Sequence, residues 1–283
     1  MKIAVVADIH GNLPALEAVI ADIARESPDM VVNLGDCVSG PLWPDETGHL
    51  LMDKAWMTVR GNHDRVAVGP HVHPDNQTDH FTQSALSSTV IDWLAALPFS
   101  CHLDEGVSIF HATPHEDDLY LTETVNGENA LLSSPAEILG RLGDNATSAL
   151  FLCGRTHIPR LITLPTGQTI FNPGSVGCPA YCDETPSHHV MEAGSPHARY
   201  GLLEKTGQLW TYRHKAIDYD CAAASKQARN NGREGCARLV DGLLSPLTMI
   251  RDQATVSAPK TCLRNPGNKI ITSEISGNIF DIF

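Results

Sequence analysis

No stretch of this 283-residue chain approaches the ~20 consecutive apolar residues of a membrane-spanning helix. Basic side chains are scarce too: 20 Lys and Arg stand against 33 Asp and Glu, a net charge of −13. That balance leaves no basic stripe for a nucleic-acid polymer or an anionic membrane. It still admits a small phosphorylated substrate, because bound metal ions can supply positive charge locally. The eight cysteines, at 37, 101, 153, 178, 182, 221, 236 and 262, form no CxxC pair and no repeating framework. Reduced thiols follow from that, and with Met1-Lys2 running straight into the first strand the expectation is a soluble, cytoplasmic protein. There is no internal repeat and no low-complexity tract.

What the chain does have is a series of apolar segments that stop at metal-binding side chains. Met30–Leu34 ends at Gly35, and Asp36 follows at once. Ligand sites of α/β sheets gather at such strand ends. Lys2–Ala7 is followed by Asp8 and His10, two apart and therefore expected to leave the strand on one side. Ala55–Val59 leads into Arg60-Gly61-Asn62-His63-Asp64, Val107–Phe110 into His111, and Ser148–Cys153 into Gly154-Arg155-Thr156-His157. Carboxylate, imidazole and amide oxygen together suit divalent ions such as Mn²⁺, Fe²⁺, Co²⁺, Ni²⁺ or Zn²⁺.

Between these segments the pattern predicts a helix from Leu13, where Leu13, Leu16, Val19, Ile20 and Ile23 form one apolar stripe after the cap Asn12. Further helices are expected over Asp45–Lys54, Asp79–Leu97, Pro135–Leu142, Tyr219–Asn230 and Glu234–Leu244. Hairpins are expected at Phe99–Leu103 with Val107–Phe110, at Arg160–Leu164 with Gln168–Phe171, and at Arg199–Leu203 with Gln208–His214. Residues 178–198 read as a long surface loop. Residues about 69–98 read as a cap beside the site. One α/β domain over 1–244 and a tail of unassigned structure over 245–283 complete the division.

Asp8-x-His10, Gly35-Asp36, Gly61-Asn62-His63-Asp64, His111 and Gly154-x-x-His157, in that order, resemble the calcineurin-like metallophosphoesterase superfamily. Asp8-Ile9-His10-Gly11-Asn12 and His111-Ala112-Thr113-Pro114 resemble its small bacterial phosphodiesterase and phosphatase branch. The resemblance implies a four-layer αββα sandwich of two mixed β-sheets, with one or two divalent transition-metal ions, Mn²⁺ favoured, at the strand ends. It implies hydrolysis of a phosphodiester or phosphomonoester by metal-activated hydroxide. Asp36 would bridge the ions, with Asp8, His10 and His157 completing one site and Asn62 and His111 serving the other. His63 would be the general acid, and Asn12, Asn62, His63 and Arg155 would meet the substrate, expected to be a small nucleotide.

Two positions depart from the pattern. Arg155 stands where the family places a histidine ligand, and a guanidinium has no lone pair for a cation. It could instead lay its fork on the substrate phosphate. Ser39 stands where the protein-phosphatase branch carries an aspartate that partners the catalytic histidine. A regulatory phosphate-binding protein weakened by Arg155, or a protein phosphatase, are the alternatives. The remaining histidines, and the acidic stretch Asp117, Asp118 and Glu123, are expected to face solvent, and the Asn172–Gly177 loop to be a structural turn near the site.

Overall fold

The computed structural model describes residues 1–236 except 71–73, 75, 104, 105, 145 and 235. Part of the expected cap (71–73 and 75), part of the connection between Phe99–Leu103 and Val107–Phe110 (104 and 105), most of the expected helix over Glu234–Leu244 and the tail over 245–283 lie outside the described residues. The first half runs β1 (Lys2–Val6), α1 (Leu13–Glu26), β2 (Met30–Asn33), α2 (Pro44–Lys54), β3 (Met57–Thr58), α3 (Asn62–Val68), α4 (Gln77–Ala85) and α5 (Ser88–Ala96). It continues through β4 (Ser100–Leu103), β5 (Val107–Phe110), β6 (Glu123–Asn126), β7 (Asn129–Leu132) and α6 (Pro135–Leu142). The last part holds β8 (Leu150–Leu152), β9 (Arg160–Thr163), β10 (Thr169–Asn172), β11 (Ala180–Asp183), β12 (His189–Glu192), β13 (Ala198–Thr206), β14 (Leu209–Ile217) and α7 (Cys221–Asn230).

Two five-stranded mixed sheets form the body, in the orders β14-β13-β1-β2-β3 and β4-β5-β8-β10-β9. The central strands of each are parallel, β1 with β2 and β2 with β3 in one, β5 with β8 and β8 with β10 in the other. Their facing sides meet in a core of Ile3, Val5, Val32 and Leu34 against Val107, Ile109, Leu150, Leu152 and Phe171. The apolar stripe of α1 (Leu16, Val19, Ile23) covers the outer side of the first sheet with Ala4, Val6, Tyr200 and Leu202. Ile138 and Leu142 of α6 cover the second sheet over Phe110, Phe151 and Ile170. This is the αββα sandwich. Burial on both faces explains why Ile3–Val6 of β1 and all of β8 read as unbroken apolar runs.

Three elements differ from the sequence expectation. The single helix over Asp79–Leu97 is two, α4 and α5, because Leu86 and Ser87 are extended (ψ 134° and 155°). Asp45 on α2 accepts the Ser87 N–H at 2.7 Å and so removes a donor a continuous helix would need. The supposed loop 178–198 contains the antiparallel pair β11–β12. A further hairpin, β6–β7, turns at Gly127 (φ 63°) with Asn126 paired to Asn129. A glycine with positive φ at the first central position suits a two-residue hairpin loop, so Gly127-Glu128 was a legible signal. No helix among the described residues is long and apolar enough to cross a membrane.

Candidate metal centre

β1 ends two residues before Asp8, β2 three before Asp36 and β8 five before His157, and the chain turns there through conformations that L residues seldom adopt. Asp8, His10, Asp36, Arg155 and His157 all have positive φ, between 51° and 67°. Outside glycine this region is uncommon and costs on the order of 1–3 kcal/mol per residue. Strand alternation is therefore not what brings Asp8 and His10 together. Backbone hydrogen bonds hold these turns against each other: Asp8 N–H to Gly35 O, Ile9 and His10 N–H to Asp36 O, and Gly154 N–H to His111 O. Buried Asp64, at the start of α3, accepts from the N–H groups of Asp36, Cys37 and Gly61 at 2.8, 2.8 and 3.0 Å. The Asn172–Gly177 loop closes the other side through Val176 N–H to Ala7 O, Gly177 N–H and Ser175 Oγ to Asp8 O, and Asn172 Nδ2 to Gly154 O.

The result brings Asp8, His10, Asp36, Asn62, His111 and His157 into one buried cluster, none more than 9% exposed. His10, His111 and His157 each place Nδ1 on a backbone carbonyl: Ser39 O at 2.6 Å, Leu34 O at 2.8 Å and Cys178 O at 2.6 Å. A carbonyl only accepts, so each Nδ1 carries a proton and each Nε2 is turned inward. The Nε2 atoms of His10 and His157 then face each other at 3.2 Å. His111 Nε2 faces Asn62 Oδ1 at 3.1 Å and Asp36 Oδ2 at 3.3 Å, while His10 Nε2 lies 3.8 Å from the same Asp36 oxygen. His157 Nε2 is 3.5 Å from Asp8 Oδ1. Asp8 Oδ2 and Asp36 Oδ2 are buried with no hydrogen-bond partner.

Imidazole Nε2 atoms and carboxylate oxygens converging in one buried cluster describe a cation site. The donor set fits divalent ions of the Mn²⁺-to-Zn²⁺ series. The titration of the metal-free cluster agrees. Burial pushes Asp8 up to about 7, and burial pushes His10 down to about 4. Burial also tends to raise Asp36, but the charges of His111 and His63 outweigh it and hold that carboxyl well below its ordinary value. Burial disfavours the charged form of His111 as well, yet Asp36 overrides it and lifts the imidazole to about 9. Without metal, a proton on His111 is the cation the site holds. A second grouping of donors, His10 and His157 with Cys178, shares two ligands with the first; burial pushes the Cys178 thiol well up, so it sits there as a neutral group.

The other predicted residues sit at the rim. His63, on α3, has its N–H on Asp36 Oδ1 at 3.0 Å and its Nδ1 3.6 Å from Asp79 Oδ1 of α4. Ser39 Oγ donates to that Asp79 oxygen at 3.1 Å. Burial works against charge on His63, but Asp36 and Asp79 outweigh it and raise its pKa. Asp79 had no sequence signal. Asn12 has no free group for a phosphate: Oδ1 caps α1 at Ala15 N–H, and Nδ2 donates to Gly177 O and Tyr219 OH. Arg155 turns away from the cluster, with its guanidinium 3.2 Å from Asp183 Oδ2 on β11 and 4.7 Å over the Tyr120 ring. Asp117 and Glu123 are not solvated: they are 8% and 2% exposed and pair with Arg65 and Arg160. His189 is fully buried on the Tyr120 hydroxyl, against the expectation of a solvent-facing ring.

Comparison with known proteins gives a consistent result. The family model of the calcineurin-like phosphoesterases matches residues 1–159. An uncharacterized protein of Methanocaldococcus jannaschii is 28% identical over 215 residues, covering 71% of this chain and 78% of its own. A crystal structure of a metallophosphoesterase from Sphaerobacter thermophilus superimposes with a TM-score of 0.66 at 25% identity, covering 86% of this chain and all of that one. A hypothetical protein from Pyrococcus horikoshii OT3 shares the fold with a TM-score of 0.67 at 17% identity, covering 85% of this chain and 98% of that one.

Proposed function

The chain belongs to the calcineurin-like phosphoesterase family, and on that premise we propose that it is a divalent-metal-dependent hydrolase of a small phosphodiester or phosphomonoester. The observation that carries this reading is the convergence of three Nδ1-locked imidazoles with the buried carboxylates of Asp8 and Asp36. Asp8, His10, Asp36 and His157 would hold one ion; Asp36, Asn62 and His111 would hold a second. Bound there, the ions supply charge neutralisation at the phosphoryl group and a water acidified enough to attack phosphorus near neutral pH.

The protein's own groups do the rest. Asp36, fixed through the Asp64 cradle, keeps its carboxylate ionised and in place. The His63 ring reaches the same cavity as Arg155 and Asn62, where a protonated imidazole can donate to a phosphoryl oxygen and then pass its proton to the departing alkoxide. Asp79 beside Nδ1 keeps that ring protonated and oriented. Arg155, fixed by Asp183 and Tyr120, presents a permanent positive charge on the wall of the cavity. Mn²⁺ and a cytosolic setting remain part of the same reading. The test is turnover of bis(p-nitrophenyl) phosphate with Mn²⁺, against Asp36→Asn. Turnover that the substitution abolishes supports the assignment. No turnover in Mn²⁺, Co²⁺, Ni²⁺ or Zn²⁺ moves the reading to a phosphate-binding protein.

A further inference from the structure

Cys178 follows the Asn172–Gly177 loop and is tied by it to the turns that carry the candidate metal ligands. Its N–H donates to Ser175 Oγ at 2.7 Å, and that hydroxyl donates to Asp8 O at 2.7 Å. Gly177, just before it, is pressed so closely on the Asp8–His10 turn that a Cβ there would lie 1.8 Å from Ile9 O. The Cys178 carbonyl accepts the His157 Nδ1 proton at 2.6 Å. One residue therefore orients the His157 ring and carries a thiol beside it.

That thiol lies within reach of the same ion. Cys178 Sγ and one ring nitrogen each of His10 and His157 are within 4.8 Å of one another, and all three residues are buried. Donors around a single Zn²⁺, with bonds of about 2.0–2.1 Å to nitrogen and about 2.3 Å to sulfur, stand roughly 3.5 Å apart, so the three sit at a spread one ion can draw together. An independent observation points to a cation at the same place. Asp8 is fully buried, its Oδ2 has no hydrogen-bond partner, and it forms with His10 and Asp36 the overlapping group of donors.

The geometry points to Cys178 as a further ligand of the ion held by His10 and His157, making that position a mixed nitrogen, oxygen and sulfur site suited to Zn²⁺, Co²⁺ or Fe²⁺ ahead of Mn²⁺. The inference rests on the metal-centre reading and names a donor that reading leaves out. Thiolate is a soft donor that favours zinc and iron, whereas manganese suits oxygen. In the metal-free protein the thiol donates to Ala180 O at 3.3 Å. On coordination the S–H bond breaks, a sulfur–metal bond forms, and the proton leaves to solvent. The ion itself, with Arg155, whose charge bears on Asp8, offsets the negative charge this adds. The competing role is packing, since Cys178 also lies in a small core with Tyr120, Tyr181 and Met191.

The experiment loads the EDTA-treated full chain with one equivalent of Co²⁺, reads binding by calorimetry and records the absorption spectrum. A thiolate ligand gives an intense near-ultraviolet sulfur-to-cobalt charge-transfer band. Wild type should show it, Cys178→Ser should bind Co²⁺ without it, and Cys101→Ser, which removes a half-buried thiol of β4, should match wild type. Binding without the band in wild type, or a band that survives Cys178→Ser, overturns the inference and leaves the metal centre standing; no binding overturns both. Turnover of bis(p-nitrophenyl) phosphate by the Co²⁺-loaded protein reports the phosphoesterase reading separately. Zinc-edge X-ray absorption of wild type with one equivalent of Zn²⁺ repeats the test without a variant: a sulfur at about 2.3 Å supports ligation, and nitrogen and oxygen alone overturn it. In competition titrations Cys178→Ser should lose roughly tenfold of the preference for Zn²⁺ over Mn²⁺, on the scale of one altered group beside a metal. An unchanged ratio identifies Cys178 as packing only and overturns the inference.

Discussion

Replacing Asp8 by Asn should make the metal-stripped protein more stable while removing most of its response to metal. Asp8 is fully buried, its Oδ2 has no donor, and its pKa stands near 7 against an ordinary 3.8. Between those values the native state holds a proton the unfolded chain has released, so stability falls as pH rises from about 4 to about 7. A shift of about three units corresponds to roughly 4 kcal/mol at pH 8. The amide keeps Asp8's acceptor for the Arg155 N–H, which lies 3.2 Å from Oδ1, and carries no charge. At roughly 2–4 °C per kcal/mol for a chain of this size, EDTA-treated Asp8→Asn should melt about 8–16 °C above EDTA-treated wild type at pH 8. The gap should close toward pH 4. Excess Mn²⁺ should narrow the gap, since an ion at 100 times its Kd adds about 2.7 kcal/mol to wild type and little to the variant. Calorimetry at pH 4, 6 and 8, with EDTA or Mn²⁺, reads all of this. A metal-free variant no more stable than wild type at pH 8, or equal Mn²⁺ shifts in both proteins, would refute the cation-site argument.

Asp79→Ala should lower kcat on bis(p-nitrophenyl) phosphate by about 10- to 100-fold, part of the 10²–10⁴ a general acid contributes, with partial recovery in Asp79→Glu; a change confined to KM would sink the orienting role. Gly61→Ala would set a Cβ 2.6 Å from the Asp36 amide nitrogen and onto its carboxylate, so stability should drop by about 1–3 kcal/mol in urea and Mn²⁺ protection should vanish, whereas an unchanged midpoint would contradict the close approach. Glu26 holds Lys215 and Lys2 through side-chain hydrogen bonds that lower its pKa to about 2 from 4.5; its contribution is present above 4.5 and lost as pH falls toward 2, so Glu26→Gln should flatten the acid limb of the stability profile there and leave the profile near pH 7 parallel to wild type.

Much of the site could be read because its residues follow buried strands, and a buried strand is a short apolar run with a sharp end. That held for Asp8, Asp36, His111 and His157. What could not be read was the device that makes them converge. Five non-glycine residues in left-handed conformations leave no trace in composition or period, and neither does Asp64, whose carboxylate gathers three N–H groups from two turns. The hairpins escaped for another reason: each strand has four residues, and those of β7 keep Leu131 and Leu132 more than half exposed. Short strands with weak alternation resemble loops unless their turn is recognised, and Gly127-Glu128 was the turn to recognise. The break between α4 and α5 depended on Asp45, some forty residues away, which no local propensity contains.

Both departures from the family pattern meet residues supplied by other elements, and this settles the sign expected of Arg155→His. Ser39 has no carboxylate to offer His63, but its hydroxyl binds Asp79, which α4 brings to the ring. Arg155, instead of a ligand, is a strut to β11. Its exposure is 11% and that of Asp183 is 23%, so the pair is mostly out of solvent, and Arg155 also covers the Tyr120 ring. Removing one partner of a fully buried pair costs roughly 3–5 kcal/mol; with Asp183 partly wet, about 2–3 kcal/mol is expected in urea denaturation. The histidine could restore a ligand, but only while the hairpin loses its anchor and the cavity its fixed cation. Lower turnover with lower stability is therefore the expected result. Higher turnover at unchanged stability would show that Arg155 merely occupies a ligand position, and that the strut to Asp183 holds nothing in place.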